Sequence, residues 1–290
     1  MALLPLQNPL LPFVRYWQRL TAKVGWRFVV LLFSAYGGVK GVVNVLTYSA
    51  FIPFMRNAVG VTNAAQVQAF FTVARLSWSL KPLIGGVSDM LPLWGYHKRP
   101  YLLGAAAVGT AAAIALAAAP LRGLGGGGAI AASLFFALTF ETATVDLLVE
   151  GAYTRLMVSL PETGGDIVSA VWAFVMIGAL GASGLVAVVA SGDASLFWWV
   201  ATPFAAQVVF PVAAGWLGEV RSTEGFRGRD LIDAHREVFG VSALIAGGAL
   251  GLAAASLWGS TIVQAAVSIS SSIAVCAVSL WLLPPVIGTS

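Results

Sequence analysis

The chain has 290 residues, of which 59% are hydrophobic and only 10% charged. Average soluble chains carry about 25% charged residues, so this composition, with a mean hydropathy of +0.88, excludes a water-facing globule and points to a membrane protein. A net charge of +4 would suggest nucleic acid in a soluble chain; here the basic residues sit in particular loops, which reads as membrane topology with no nucleic-acid partner. The single cysteine, Cys276, excludes an intrachain disulfide and reads as a thiol packed within a span.

Residues 1–27 form the first unit. Met1 to Pro12 has neither a positive leader nor a small-residue cleavage site, so no signal peptide is expected. Arg15, Arg19, Lys23 and Arg27 then interleave with Phe13, Tyr16, Trp17, Leu20 and Val24, the pattern of a basic amphipathic helix on the inner membrane surface. About 20 apolar residues cross a bilayer core. On that ruler the sequence predicts eight spans, near 28–54, 66–88, 100–120, 129–155, 166–190, 195–217, 238–258 and 262–283. A β-barrel makes no such unbroken runs, so the expected fold class is all-α, a multipass membrane helix bundle.

The loops set the orientation. With the N-terminus in the cytosol, eleven basic residues fall inside (Arg15, Arg19, Lys23, Arg27, Lys98, Arg99, Arg155, Arg221, Arg227, Arg229 and Arg236) and two outside, Arg56 and Arg122, a clear positive-inside bias. Residues 28–217 form a six-helix half. Residues 218–237, with five acidic and four basic residues, read as a cytosolic linker. Residues 238–290 hold two further spans, followed by Pro284-Pro285.

Charges inside the spans are the first functional signal, because each costs about 2.5–3.5 kcal/mol at a span centre on insertion scales. Span 1 carries Lys40, span 2 Arg75 and Lys81, and span 4 Glu141, Asp146 and Glu150. Lys40, Arg75 and Glu141 lie near mid-span. Asp146 is about 7.5 Å closer to the cytosol than Glu141 at about 1.5 Å per residue. Asp146 and Glu150 share a face at i, i+4, whereas Glu141 lies about 140° around the helix from Asp146 at about 100° per residue. Glu141 and Asp146 are therefore expected to flank a cavity, with Glu150 reaching for Arg155 or the loop after span 2. The alternative is that these charges only neutralise one another as buried pairs. Lys81, close to the interface, is expected to snorkel.

The second signal is the stretch from Trp78 to Tyr101, W-S-L-K-P-L-I-G-G-V-S-D-M-L-P-L-W-G-Y-H-K-R-P-Y. It resembles the loop between helices 2 and 3 of major facilitator transporters. In the form K-P-L-I-G-x-x-S-D-x-x-P-L-x-G-Y-x-K-R-x-Y it is similar to the folate-biopterin transporter family. The run D-x-L-x-E-G-x-Y from Asp146 to Tyr153, P-E-x-G-x-D-I from Pro161 to Ile167, and Trp172 continue that likeness, which covers Tyr36 to Trp172 well and fades beyond Val220. The Tyr-His-Lys-Arg form looks closest to protozoan members.

The resemblance implies a major facilitator bundle in which helices 1 and 4 line the cavity and 3 and 6 face lipid. It implies transport of a pterin or folate by alternating access as a proton-coupled symporter, with the plasma membrane as the expected location. Lys40, Arg75 and Glu141 would bind substrate, since arginine accepts a carboxylate bidentately. Glu141, Asp146 and Glu150 would carry the coupling proton. In the loop, Gly85 and Gly95 permit close approach and a tight turn. Asp89 would hold an inner gate, and Lys98 and Arg99 would either share in it or anchor span 3 to anionic lipid. Asp166 reads as a cap of span 5. Gly37 and Gly41 in span 1, with Gly178, Gly181 and Gly184 in span 5, read as helix contacts.

A twelve-span carrier would need four more spans than the eight expected here. The alternatives are therefore a non-transporting, truncated remnant of such a carrier, or a family member carrying another substrate such as S-adenosylmethionine. No catalytic or nucleotide motif is present, and His97 and His235 are too far apart in sequence to suggest a metal site. No enzyme activity, cofactor or metal is expected.

Overall fold

A computed structural model describes residues 11–189, 195–223, 226, 228–258 and 260–282; the start of the N-terminal segment, Arg227 and Pro284-Pro285 lie outside them. The described chain is helical throughout, apart from its connections and one isolated antiparallel bridge between Leu93 and Tyr96. Helix α1 (Leu11–Val24) precedes α2 (Trp26–Val59), the first helix long enough to cross a membrane. Next come α3 (Ala64–Arg75) and α4 (Lys81–Met90), then α5 (Arg99–Ala118), α6 (Gly127–Ser159) and α7 (Gly164–Val189). Two shorter pieces, α8 (Ser195–Ala206) and α9 (Val209–Ala213), make the next traverse. After α10 (Gly228–Ala234) the chain ends its described part in α11 (Arg236–Trp258) and α12 (Thr261–Leu282).

Seven of the described helical stretches are long and apolar enough to span a membrane. The eighth expected span, 66–88, is not one helix. Helix α3 stops at Arg75, a 3-10 turn covers Leu76–Trp78, and α4 begins at Lys81. Pro82 explains the restart: its ring is favoured in the first turn of a helix, where no N–H is needed, and excluded from the interior of one. A break among apolar helices leaves backbone groups to be satisfied. The Thr139 hydroxyl of α6 donates to the Ala74 carbonyl, and the Ser77 hydroxyl donates to the Phe136 carbonyl at 3.1 Å. Both hydroxyl residues are buried.

Helices α2 and α6 are the most enclosed. At one end Phe51, Phe54, Phe135 and Trp198 pack edge to face, with ring centroids 4.7–5.9 Å apart. At the other, Leu31, Tyr36, Leu102, Val145 and Ile167 form a second core. Helix α1 docks on α7. Tyr16 Oη donates to the Asp166 carbonyl at 2.6 Å, Trp17 stacks on Phe174, and Leu20 is buried. Burial, with Asp166 adjacent, pushes the Tyr16 phenol above its ordinary value, so it remains a donor. Asp166 lies in the first turn of α7, not at its cap, because the helix already starts at Gly164. Its charge there still faces the positive end of the helix.

Helix α11 lies against α3 and α4, and α12 lies against α11. At Gly86 an added Cβ would come within 2.7 Å of the Phe239 ring, so the crossing of α4 and α11 is close. Cys276, expected to be packed, is exposed on α12.

Candidate functional site

The break between α3 and α4 brings the intramembrane charges together. Asp146, 4% exposed, uses both carboxylate oxygens: Oδ1 is 2.7 Å from Lys40 Nζ and Oδ2 is 2.5 Å from Lys81 Nζ. Lys81, expected to snorkel, instead sits at the first position of the restarted helix and turns inward to this carboxylate. Arg75, the last residue before the break, donates to Asn44 Oδ1 at 3.4 Å and makes no salt bridge among the described residues.

Aromatic rings surround these cations. Lys40 Nζ lies 5.5 Å from the Tyr36 ring and 5.7 Å from the Trp172 ring. The Arg75 guanidinium lies 5.6 Å from the Tyr48 ring and 5.5 Å from that of Trp78. Lys81 Nζ is 4.7 Å from the Trp78 ring. Ring faces attract cations within about 6 Å, so they help hold Lys40 and Lys81 beside one carboxylate and Arg75 beside Tyr48 and Trp78. Lys40 and Lys81 remain 24% and 21% exposed, and the Tyr48 and Trp172 rings are exposed too. The cluster is thus only partly enclosed.

The backbone of α2 supports this arrangement. Phe33–Val43, which includes Lys40, is wound as a π-helix. Such winding is rare and appears mostly as single turns, frequently at functional sites. Here it is braced by Gln207, whose Nε2 donates to the Ser34 carbonyl at 2.8 Å. Gly38 leaves the space that the Gln207 carboxamide occupies.

The other two acids of α6 point elsewhere. Glu141 is fully buried, its oxygens have no hydrogen-bond partner among the described residues, and its carboxyl fills the space left by Gly109 of α5. The Thr110 and Thr144 hydroxyls are also buried without partners. The angle of about 140° between Glu141 and Asp146 thus becomes two different neighbours, α5 for the first and α2 with α4 for the second. Glu150 accepts from Tyr153 Oη at 3.3 Å, while Arg155 Nε donates to the Gly151 carbonyl, so Glu150 reaches Tyr153 and not Arg155.

The motif loop is tied down from two sides. Lys98, buried, lies 2.5 Å from Asp89 Oδ1 and 2.8 Å from Ser88 Oγ, so its charge points into the protein and not toward lipid. Arg99 Nη2 donates to the Ala213 carbonyl. Gly95 (φ 82°) and Trp94 (φ 52°) both take the left-handed conformation in the tight turn between Leu93 and Tyr96. A Cβ at Gly85 would make only ordinary contact with Leu147 at 3.4 Å, so no close approach requires that glycine, whereas a Cβ at Gly95 would meet Arg221 at 2.8 Å.

Glu219 is the residue that sequence reasoning missed. Its Oε1 accepts from the backbone N–H groups of His97 (2.6 Å) and Lys98 (2.9 Å), and its Oε2 from that of Arg99 (2.9 Å). The Ser222 N–H adds a bond to the Gly95 carbonyl at 2.7 Å. The available signal was negative: α5 starts at Lys98-Arg99-Pro100 with no side-chain cap of its own, so its first N–H groups need an acceptor from elsewhere. Glu219→Ala should lower stability by about 1–2 kcal/mol, as loss of a helix cap does. Glu219→Gln, which keeps one acceptor oxygen, should lose less. Thermal unfolding in detergent measures both.

Residues 40–280 match the BT1 family. The chain belongs to that family. BT1-family relatives include a folate-biopterin transporter of Synechocystis sp., 30% identical over 224 residues, which cover 75% of this chain and 42% of the relative. Two probable folate-biopterin transporters of Arabidopsis thaliana, numbers 2 and 5, are 32% and 34% identical over 96 and 97 residues, 33% of this chain in each case and 19% and 20% of theirs. The chain thus spans less than half the length of these relatives. No solved structure matches it. The BT1 match takes in Lys40, Arg75, Lys81 and Asp146, so the whole charge cluster lies inside the family region.

Proposed function

We propose that this BT1-family chain binds a pterin or folate and takes part in its movement across a membrane, by alternating access coupled to protons. The observation that carries the reading is the cluster at the broken span, where Lys40 and Lys81 share Asp146, Arg75 shares the Trp78 ring with Lys81, and the exposed or half-buried rings of Trp172, Tyr48 and Trp78 lie against the cations. A flat heterocycle stacks on such rings. A carboxylate suits the planar fork of Arg75, which has no acidic partner among the described residues.

Asp146 supplies a route to coupling. A substrate carboxylate arriving at Lys40 or Lys81 competes with Asp146 for the same ammonium group. The displaced Asp146 takes up a proton, and release of substrate restores the ion pairs and frees the proton. Glu141 offers a second proton site: it has no partner among the described residues, and an unpaired buried charge costs far more than an unpaired neutral acid. The positive-inside bias supports an N-terminus in the cytosol.

Binding is the direct test, because it does not require the chain to complete transport unaided. Equilibrium dialysis with radiolabelled folate should show Arg75→Ala weakening affinity by about tenfold or more, since a hydrogen bond to a charged group is worth about 1.5–3 kcal/mol, with Arg75→Lys in between. Unchanged affinity in both Arg75→Ala and Lys40→Ala would remove the cluster from the binding site. In proteoliposomes, Asp146→Asn should abolish uptake driven by a pH gradient. If Glu141→Gln abolishes it while leaving binding intact, the proton belongs to Glu141.

A further inference from the structure

A cavity of about 1130 Å³ opens at the basic end of the bundle, between the start of α2, the motif loop, the end of α6 and the segment after α9. It shares no lining residue with the Lys40–Asp146–Lys81 cluster. Two acids line it, and both are engaged: Asp89 holds Lys98, and Glu219 receives three backbone N–H groups. Two guanidinium groups from different helices, Arg27 and Arg155, stand exposed at its edge and make no salt bridge among the described residues. Arg155 gives only Nε to the Gly151 carbonyl, which leaves its terminal nitrogens to donate outward. The Arg27 guanidinium lies 5.7 Å from the Trp26 ring, which offers it no acceptor oxygen.

The cavity is also flanked by exposed apolar surface. Trp26, 57% exposed, packs edge to face on Trp216 at 5.2 Å. Indole rings favour the headgroup level of a membrane. Helix α1, which leads into the cavity through Gly25, exposes Leu11, Phe13 and Val14.

We propose that this cavity is a binding site for a phosphate oxyanion, held between Arg27 and Arg155. Guanidinium forks pair with phosphate bidentately, which distinguishes them from simple point charges. The phosphate belongs either to the headgroup of an anionic lipid whose chains lie along Trp26, Trp216 and α1, or to a small soluble phosphate.

The test uses the purified full chain in detergent, with native mass spectrometry reading bound phosphatidylglycerol against phosphatidylcholine and thermal unfolding reading the stabilisation each gives. Phosphatidylglycerol should be retained in preference. The double variant Arg27→Gln with Arg155→Gln should lose about tenfold in that affinity, the loss of one charge-assisted hydrogen bond or more. Arg27→Lys with Arg155→Lys keeps the charge but not the fork and should fall between, which guards against a variant that simply misfolds. Arg56→Gln with Arg122→Gln, exposed at the opposite end of the bundle, is the control and should change affinity by less than about twofold. Equal losses in the cavity and control variants would mean diffuse surface charge and overturn the proposal, as would no loss in the cavity variants. Displacement of the lipid by millimolar inorganic phosphate assigns the site to soluble phosphate; binding that resists it assigns the site to the headgroup.

Discussion

Asp146→Asn is expected to destabilise the chain by about 3–5 kcal/mol, the cost of removing one partner from a buried ion pair. One carboxylate, 4% exposed, serves two ammonium groups that are themselves only 24% and 21% exposed. Without it Lys40 and Lys81 face each other as like charges, and Arg75 adds a third. The asparagine oxygen accepts one hydrogen bond but neutralises nothing. Single replacements of Lys40 or Lys81 by Met should cost less, because the remaining lysine still pairs with Asp146. The informative variant is the triple one, Asp146→Asn, Lys40→Met and Lys81→Met. Replacing a buried ion network by apolar groups of similar volume is often neutral for stability, so the unfolding temperature should recover. Folate binding should not, because the ammonium groups that receive it are gone. If the triple variant recovers binding as well as stability, the charges are a structural network and the proposed site lies elsewhere. If Asp146→Asn alone unfolds at the parent temperature, the ion pairs do not hold the broken span.

The spans were legible in the sequence because their length and apolarity are set by the bilayer, and seven described helices fall on the expected runs. The rotation of about 140° between Glu141 and Asp146 was legible too; the expectation that both flank one cavity was not met, since Glu141 is buried against Gly109 of α5. The break at Leu76–Trp78 was not. Arg75, Ser77, Ser79 and Lys81 lower the apolarity there, but the run from 66 to 88 has the length of one span, and only Pro82 marks where a helix restarts. That break is what turns Lys81 inward, so the snorkelling expectation failed with it. The π-winding of Phe33–Val43 was equally silent, because it depends on Gln207 bracing a carbonyl 173 residues away. The grip of Glu219 on the start of α5 spans 120 residues or more. Local pattern carries no information about such partners; it shows only that a helix start lacks a cap. The motif loop could therefore be located by its resemblance, while the clamp that positions it could not.

Gly178→Ile should prevent the bundle from closing, and Gly178→Ala should already cost about 1–3 kcal/mol, the range for overpacking a well-filled contact. The sequence offers three glycines in α7 at similar spacing, Gly178, Gly181 and Gly184, and treats them alike. The structure does not. A Cβ on Gly178 would run into the Gly37 carbonyl and come within 3.0 Å of Gly41 Cα, and a Cβ on Gly41 would come within 2.9 Å of Gly178 Cα. These are backbone atoms on both helices, so no side-chain rotation relieves the clash and α2 must move away from α7. Moving α2 displaces the π-wound turn that carries Lys40, so the damage reaches the charge cluster. Gly181 and Gly184 meet nothing within 4 Å. Gly181→Ala and Gly184→Ala should therefore stay within about 0.5 kcal/mol of the parent, or gain slightly from better helix propensity. Thermal unfolding of the three alanine variants in one detergent tests this directly. Equal behaviour of Gly178→Ala and Gly181→Ala would show that α2 and α7 do not meet through their glycines, and the placement of Lys40 beside Asp146 would lose its support.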